Sequence, residues 1–521
     1  MNTHSASTLR WAACASLVAN IGLGSCGNEP TIKISLSSWP AGAAIVRLTG
    51  SVNGVPSADL PPLTDQQTQF VVRVPAGTAG KISLAAVAVD GSTGTPCKVA
   101  SGTIDFDVPS GIRAYEEKTW TLSQFPSKLC TLSVSIRSGM GGVTSTPAGI
   151  SCSASSQMGC QAEFPADKAV TLSANLDPKW IPTWQGTCLT SPGQCQFSGL
   201  ASSQSVIVDF VQRACSTSNW CAFSSPAGTT HLSAVWASGP SDAWIAGQKG
   251  TILHWDGAAW GQVTTSTIPG STALMAVWGS SPSLVWVAGA ANQTWKWNGS
   301  TWIANALPTS SFSDLLIGSL FGLAADDLWG VAGSPTTPAT SGTVLRWNGS
   351  NWSAVTGTPS PIYLYGVWAN AINREAWIAG NQGTVFSVDG QTGKSTNRTS
   401  ALLSSTNLLS LSGYSSGDIW VAGGPPGGPG TIHRWDGSSW TAVALSSYSP
   451  TVFTKIVAVG SNDAWAITDS GQVFHVTGPV TSSTITVDTL TNKIPLAGLW
   501  ANSPTDLWVV GQYGTIFRRL Q

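Results

Sequence analysis

An all-β protein is predicted, a seven-bladed β-propeller preceded by two small β-sandwich-like modules, and three observations carry that reading. First, a Trp preceded two residues earlier by an acid recurs at Asp242/Trp244, Asp327/Trp329, Glu375/Trp377, Asp418/Trp420, Asp463/Trp465 and Asp506/Trp508, with one further copy at Trp286 where Leu284 replaces the acid. Successive tryptophans are 42, 43, 48, 43, 45 and 43 residues apart, the period of one four-stranded propeller blade. Second, the chain upstream consists of short alternating runs such as Thr31-Ile32-Lys33-Ile34-Ser35-Leu36 and Phe70-Val71-Val72-Arg73-Val74, separated by Gly, Pro, Ser and Asp turns. Third, only 9% of the 521 residues are charged while there are 56 Gly and 26 Trp, a composition suited to many tight turns between buried strands.

Each repeat unit divides into four strands. Leu232-Ser233-Ala234-Val235-Trp236 is the inner strand, Ala243-Trp244-Ile245-Ala246-Gly247 the second and Thr251-Ile252-Leu253-His254-Trp255 the third. Asp256-Gly257 then turns into an outer strand at Trp260. Asp-Gly or Asn-Gly recurs at 256–257, 298–299, 348–349 and 436–437, the chemistry of a tight hairpin with positive φ. The seventh unit ends at Gln521 after its third strand, whereas the segment around Trp220 precedes the first unit as an orphan outer strand. That segment is expected to complete the last blade, hiding two sheet edges that would otherwise template aggregation.

The extreme N-terminus carries one charge, Arg10, before a mostly small and apolar stretch, which suits a secretory signal and is too short to span a bilayer. It ends in Leu23-Gly24-Ser25-Cys26, which resembles the lipobox of bacterial lipoproteins; that resemblance implies cleavage before Cys26, lipidation of its thiol and, with Gly27 next, sorting to the outer membrane. Of the ten cysteines, Cys14 lies in the signal and Cys26 takes the lipid, leaving eight between Cys97 and Cys221. An even count in an exported chain reads as disulfides. The expected pairs are those sequential along the chain: Cys97 with Cys130, Cys152 with Cys160, Cys188 with Cys195, and Cys215 with Cys221. No zinc-type C-x-x-C pair occurs, so neither a metal nor a cofactor is expected.

The expected organisation is therefore a signal peptide over 1–25, the lipidated Cys and a short tether over 26–30, a β-sandwich-like module over 31–127, a disulfide-containing module over 128–215 and the propeller over 216–521. The run from Gly142 to Cys152, then Cys160, Val170-Thr171-Leu172-Ser173-Ala174, Trp184-Gln185-Gly186-Thr187-Cys188 and Cys195 resembles the bacterial repeat of the internalin B-repeat type. Those modules are stalk-like, and Trp184 is expected to pack near a disulfide. The Trp-rich units resemble secreted bacterial propellers of the BNR, kelch and photosystem-assembly-factor kind. The sialidase Asp-box is not matched cleanly anywhere.

A feature present in nearly every blade is expected to build blades. The acid before each Trp is read as capping the inner hairpin through backbone N–H groups, and Trp255, Trp297, Trp347 and Trp435 as packing between blades. His254, Lys296, Arg346 and Arg434 are read as solvated or stacked over Trp. Length varies instead in the second-to-third-strand turn, which carries insertions in the third and fifth units, and in the links between blades. These emerge on one face, and recognition is expected there because binding is commonly built on loops held by a rigid scaffold. Its short turns offer Gln248, Lys249, Asn292, Gln293, Asn381, Gln382, Gln512 and Tyr513 as ligand-face candidates.

A formal net charge of −1 excludes an electrostatic nucleic-acid binder. No catalytic residue is assigned: the mature histidines, His231, His254, His433 and His475, are scattered among blades. The reading is a non-enzymatic, monomeric, outer-membrane-anchored lipoprotein that binds a glycan or protein through the variable face. A glycan-active hydrolase or lyase using the propeller funnel is the alternative.

Overall fold

The computed structural model describes residues 31–520 apart from 53–54, 57–59, 65–68, 74–79, 92–94, 109–115, 176–178, 192, 214, 291–292, 308–315, 334–341, 360–361, 426–427, 446 and 492. Cys26 and Asn292 thus lie outside the described residues, as does the insertion of the third unit. Two compact units meet between Val211 and Gln212. Among the described residues, no helix is long and apolar enough to cross a membrane.

The first unit holds a three-, a five- and a nine-stranded sheet. The boundary expected at 127/128 falls inside the strand Ser123–Ser138, which pairs upstream with Lys98–Val108 and downstream with Gln161–Pro165 and Gln204–Gln212. The two expected modules therefore share one sheet. Phe125-Pro126-Ser127 looks like a linker in sequence, yet it lies opposite a register shift of the Lys98–Val108 pairing. At such a bulge a Pro costs no ladder hydrogen bond. Three expected disulfides lie in this unit, Cys97–Cys130, Cys152–Cys160 and Cys188–Cys195. Trp184 and Cys188, both half-buried, pack against the core formed by Cys130, Val143, Phe164, Leu172 and Phe210.

The second unit is the β-propeller. Seven four-stranded antiparallel sheets form among its described residues. Blade 1 uses Leu232–Gly239, Asp242–Gly247, Ile252–Trp255 and Trp260–Gln262 from inside outward. Blades 2 to 6 repeat this order, and each inner strand packs on the next until that of blade 7, Leu496–Ser503, meets that of blade 1. Blade 7 continues through Asp506–Gly511 and Ile516–Arg519, and its outer strand is Trp220–Ala222, with Trp220 opposite Arg519. The fourth disulfide, Cys215–Cys221, ties that strand to the segment before it.

The second-strand tryptophans, all buried, pack each blade on its neighbour. Trp244 meets Trp297 and Trp302 of blade 2 at 5.8 Å, Trp286 meets Trp347 of blade 3 at 4.9 Å, and Trp508 meets Trp260 of blade 1 at 5.0 Å. Edge-to-face rings at these separations add to the burial of large apolar area. Trp220 takes the same place against Trp465 of blade 6, at 6.0 Å, and donates its indole N–H to Asp488 on that blade's outer strand.

Trp220→Ala should therefore cost about 3–5 kcal/mol, because it removes both the seventh inter-blade packing and a clasp contact. Calorimetry of the full chain should show a lowered transition for the propeller.

Candidate functional site

The repeated acids do not cap their own hairpins; each reaches a base instead. Asp242 pairs with His254 (2.8 Å), Asp418 with Arg434 (2.7 Å), Asp463 with His475 (2.7 Å) and Asp506 with Arg518 (2.7 Å), while Arg346 bonds Asp327 at 3.1 Å. The base sits opposite the second-strand Trp in the hairpin register, as in Trp244↔His254 and Trp508↔Arg518. It therefore also covers that ring: His475 stacks on Trp465 at 3.8 Å, and the guanidinium of Arg518 lies 4.7 Å from Trp508. In blade 4 the opposite residue is Ser387, and Arg398 from the outer edge fills the role, bonding Glu375 and Ser387 over Trp377. In blade 2, where Leu284 stands for the acid, Lys296 still lies over Trp286 at 5.6 Å.

Several of these groups reach on to the next blade. Arg518 donates to the Pro240 carbonyl of blade 1, Arg346 to that of Gly390 in blade 4, and Asp418 accepts the Asn462 N–H of blade 6. Burial works against ionisation of Asp242, but hydrogen bonds from His254 and Ser238 hold its carboxyl below the usual range. The capping role belongs to other residues. Asp256, Asn298, Asn348, Asp389 and Asp436 each accept two backbone N–H bonds within the third-to-fourth-strand turn, and Gly257, Gly299, Gly349 and Gly437 follow with φ of 93–98°. These bonds draw the carboxyls of Asp389 and Asp436 below the usual range.

The opposite face carries the variable turns. There the first residue of each short turn donates its backbone N–H to the preceding link: Gln248 to His231, Asn381 to Tyr363 and Gln512 to Pro495, at 2.9–3.0 Å. Its glycine donates to the following link, Gly250 to Thr272, Gly383 to Thr406 and Gly514 to Thr230. The last of these bonds carries the stitching from blade 7 to blade 1. A Cβ at Gly383 or Gly514 would stand 2.1 or 1.9 Å from a link carbonyl, so glycine is required at both places.

Between anchor and glycine sit Lys249, Gln382 and Tyr513, all exposed and left-handed at φ 54–57°, as a type I′ turn demands. The candidates thus separate into two kinds. Gln248, Asn381 and Gln512 are half-buried anchors, with the Asn381 carbonyl oxygen also accepting the Tyr363 N–H. Lys249, Gln382 and Tyr513 (65% exposed) are exposed tips, with the Gln382 backbone N–H donating to Asn407 Oδ1. Gln293 is half-buried at the start of a third strand. The tips belong to blades 1, 4 and 7, so they form a rim around the ring and are not gathered into one cleft.

Two groups on this face escape a pattern-based reading. Tyr363 and Tyr365 lie with ring centroids 4.8 Å apart in a tilted pair where the chain enters blade 4, their hydroxyl pKa values raised by burial. His433 lines a cavity of about 360 Å³ beneath the insertion of blade 5. It stands where other blades carry residues such as Leu253, Trp295 or Phe474. That break in the repeat is the signal that identifies it. It is 4% exposed, its Nδ1 has no partner among the described residues, and burial pushes its pKa down to about 4. Among the described residues, no group of three His, Cys, Asp or Glu could hold a metal ion.

The chain matches no protein-family model and no curated protein. Among solved structures it is similar to YCF48 bound to D1 peptide, at 15% identity and TM-score 0.47, with 59% of this chain and 99% of that chain covered. It is also similar to YCF48 from Cyanidioschyzon merolae (14% identity, TM-score 0.45, 58% and 98% covered) and to the WD40 β-propeller domain of Doa1 (13%, 0.44, 58% and 95%). These are likenesses of fold alone.

Arg518 is 1% exposed. Arg518→Met should destabilise the protein by about 3 kcal/mol, since it strands Asp506 and the Pro240 carbonyl. Lys296→Met, with no acid to strand, should cost less than about 1 kcal/mol; denaturant titration compares the two. Because the folded pKa of His433 lies below its unfolded value of 6.5, the unfolded chain binds more protons between pH 6.5 and about 4, and stability is lost as pH drops through that window. His433→Phe should remove roughly 2 kcal/mol of that acid-side loss at pH 4.5, read as the variant's smaller drop in unfolding midpoint between pH 7 and 4.5.

Proposed function

We propose that this chain is a membrane-anchored binding or scaffolding protein whose propeller takes a protein partner on the face of the second-to-third-strand turns. One observation carries the reading. On that face backbone bonds fix the anchors and glycines of three turns against the links on either side, while the side chains between them, Lys249, Gln382 and Tyr513, are exposed. A rigid rim presenting a cation, an amide and an aromatic suits an extended protein surface. The acids of the repeats, by contrast, are committed to bases in the same or adjoining strands, which leaves few carboxylates to converge as a hydrolytic pair. Leu402 and Tyr448, exposed in the links of the same face, add apolar contact area.

The anchor is part of the proposal: lipid on Cys26 would hold the protein at the outer membrane, since more than one hydrocarbon chain gives stable attachment.

Cross-linking in cells followed by affinity capture should recover a partner with the wild type and lose it with combined Gln382→Ala and Tyr513→Ala. Ile372→Ala, at an exposed turn on the other face, should leave capture intact. Saturable binding on a glycan array with no captured protein would move the ligand class to glycans. Cys26→Ala should abolish palmitate labelling and release the protein from the membrane fraction.

A further inference from the structure

The seven inner strands share a pattern with one exception. Each has a bulge near its start, and the first residue beyond it is Ala234, Ala276, Ser319, Gly366, Ser410 or Gly498 in six of them, identified by its register partner on the second strand. The position is small because it faces the neighbouring inner strand. A Cβ on Gly366 would lie 2.9 Å from the Leu411 nitrogen, and one on Gly498 2.9 Å from the Ala234 Cα. In blade 6 the same position, paired with Ile467, is Lys455.

Two residues further on, Trp236, Trp278, Phe321, Trp368 and Trp500 repeat one aromatic position, each standing opposite its blade's second-strand Trp, and Phe321, Trp368 and Trp500 line the axial cavity. They fit because the next blade is small at the contact: a Cβ on Gly279 would meet the Trp236 ring at 2.6 Å, and one on Gly322 the Trp278 ring at 2.5 Å. Blades 5 and 6 depart from this too, with Ser412 and Val457 in place of aromatics. The gap in the aromatic series and the lysine thus fall on adjoining blades.

All seven inner strands line an axial cavity of about 250 Å³, and among the described residues Lys455 is the one charged side chain on its wall. Its ammonium has no hydrogen-bond or ion-pair partner among the described residues, and burial pushes its pKa down. Lys455 is half-buried on the channel wall, and the other repeats show that the fold does not need a charge there.

We propose that the axial channel binds a monocarboxylate carried on a small apolar or aromatic group, with Lys455 Nζ pairing the carboxylate and Phe321, Trp368 and Trp500 receiving the apolar part. One ammonium neutralises one negative charge, whereas a dianionic phosphate would leave excess charge in the channel. The volume lies just below that of drug-sized ligand sites, which commonly span about 300–1,000 Å³. The occupant is therefore a single ring with a short acidic arm, not a folded segment. This site lies on the axis and is separate from the tips to which a protein partner is assigned.

The test titrates 3-phenylpropionate and its neutral primary amide into the full chain at pH 7, followed by calorimetry and by tryptophan fluorescence. The carboxylate should bind saturably at one site per chain, with the amide about tenfold weaker or worse, a difference of roughly 1.4 kcal/mol. Lys455→Met should abolish that preference, Lys455→Arg should keep it, and inorganic phosphate should not compete. Gln382→Ala with Tyr513→Ala should leave it unchanged, so failure of the rim proposal is distinguishable from failure of this one. Absence of saturable carboxylate binding, or equal binding of acid and amide by the unmodified chain, would overturn the inference whatever the variants do. Unaltered preference in a folded Lys455→Met protein would do so as well.

Discussion

The propeller depends on one packing arrangement: the second-strand tryptophan of each blade, buried against the outer strands of the next. A four-stranded sheet has two apolar faces and too little chain to cover either by itself, so each blade is stable only between neighbours. The ring satisfies this for every blade at once provided it closes. Closure falls to a three-residue strand, Trp220–Ala222, which brings a tryptophan to the place that Trp302 and Trp352 occupy in blades 2 and 3. The same strand covers the exposed edge of Ile516–Arg519, so one short segment completes both the packing and the hydrogen-bond ladder.

A base lies over each second-strand tryptophan, and in six of the seven blades the acid two residues before that tryptophan holds the base in place. Blade 4 retains the arrangement with Arg398 drawn from a different strand. What is maintained is the contact between charge and ring, not a sequence position. Charge spent in this way stiffens the blades and leaves the variable face and the axis as the places where side chains are not already committed to the fold.

Much of this architecture was legible from spacing. The Trp period marked the blades, the Asp-Gly and Asn-Gly pairs marked the outer hairpins, and Trp220 was recognisable as a missing outer strand because its distance from Trp236 resembles that from Trp260 to Trp278. The four cysteine pairs followed from order along the chain. Less was legible about charge. The acid–base pairs span 12 residues in three blades, 16 in blade 5 and 19 in blade 3, because the turn between the strands varies in length; their constancy lies in register across a hairpin. The strand Ser123–Ser138 runs through the expected module boundary because Pro126 lies opposite a bulge in its pairing.

Local periodicity alone therefore determined the all-β class, the repeat and the positions of the outer hairpins, because each depends on residues close together in the chain. Only the tertiary structure decided which candidates are anchors and which are tips, and that Lys455 lines the axial cavity together with Phe321, Trp368 and Trp500. Those properties arise where seven separate strands meet, and a side chain's surroundings there are supplied by residues tens to hundreds of positions away.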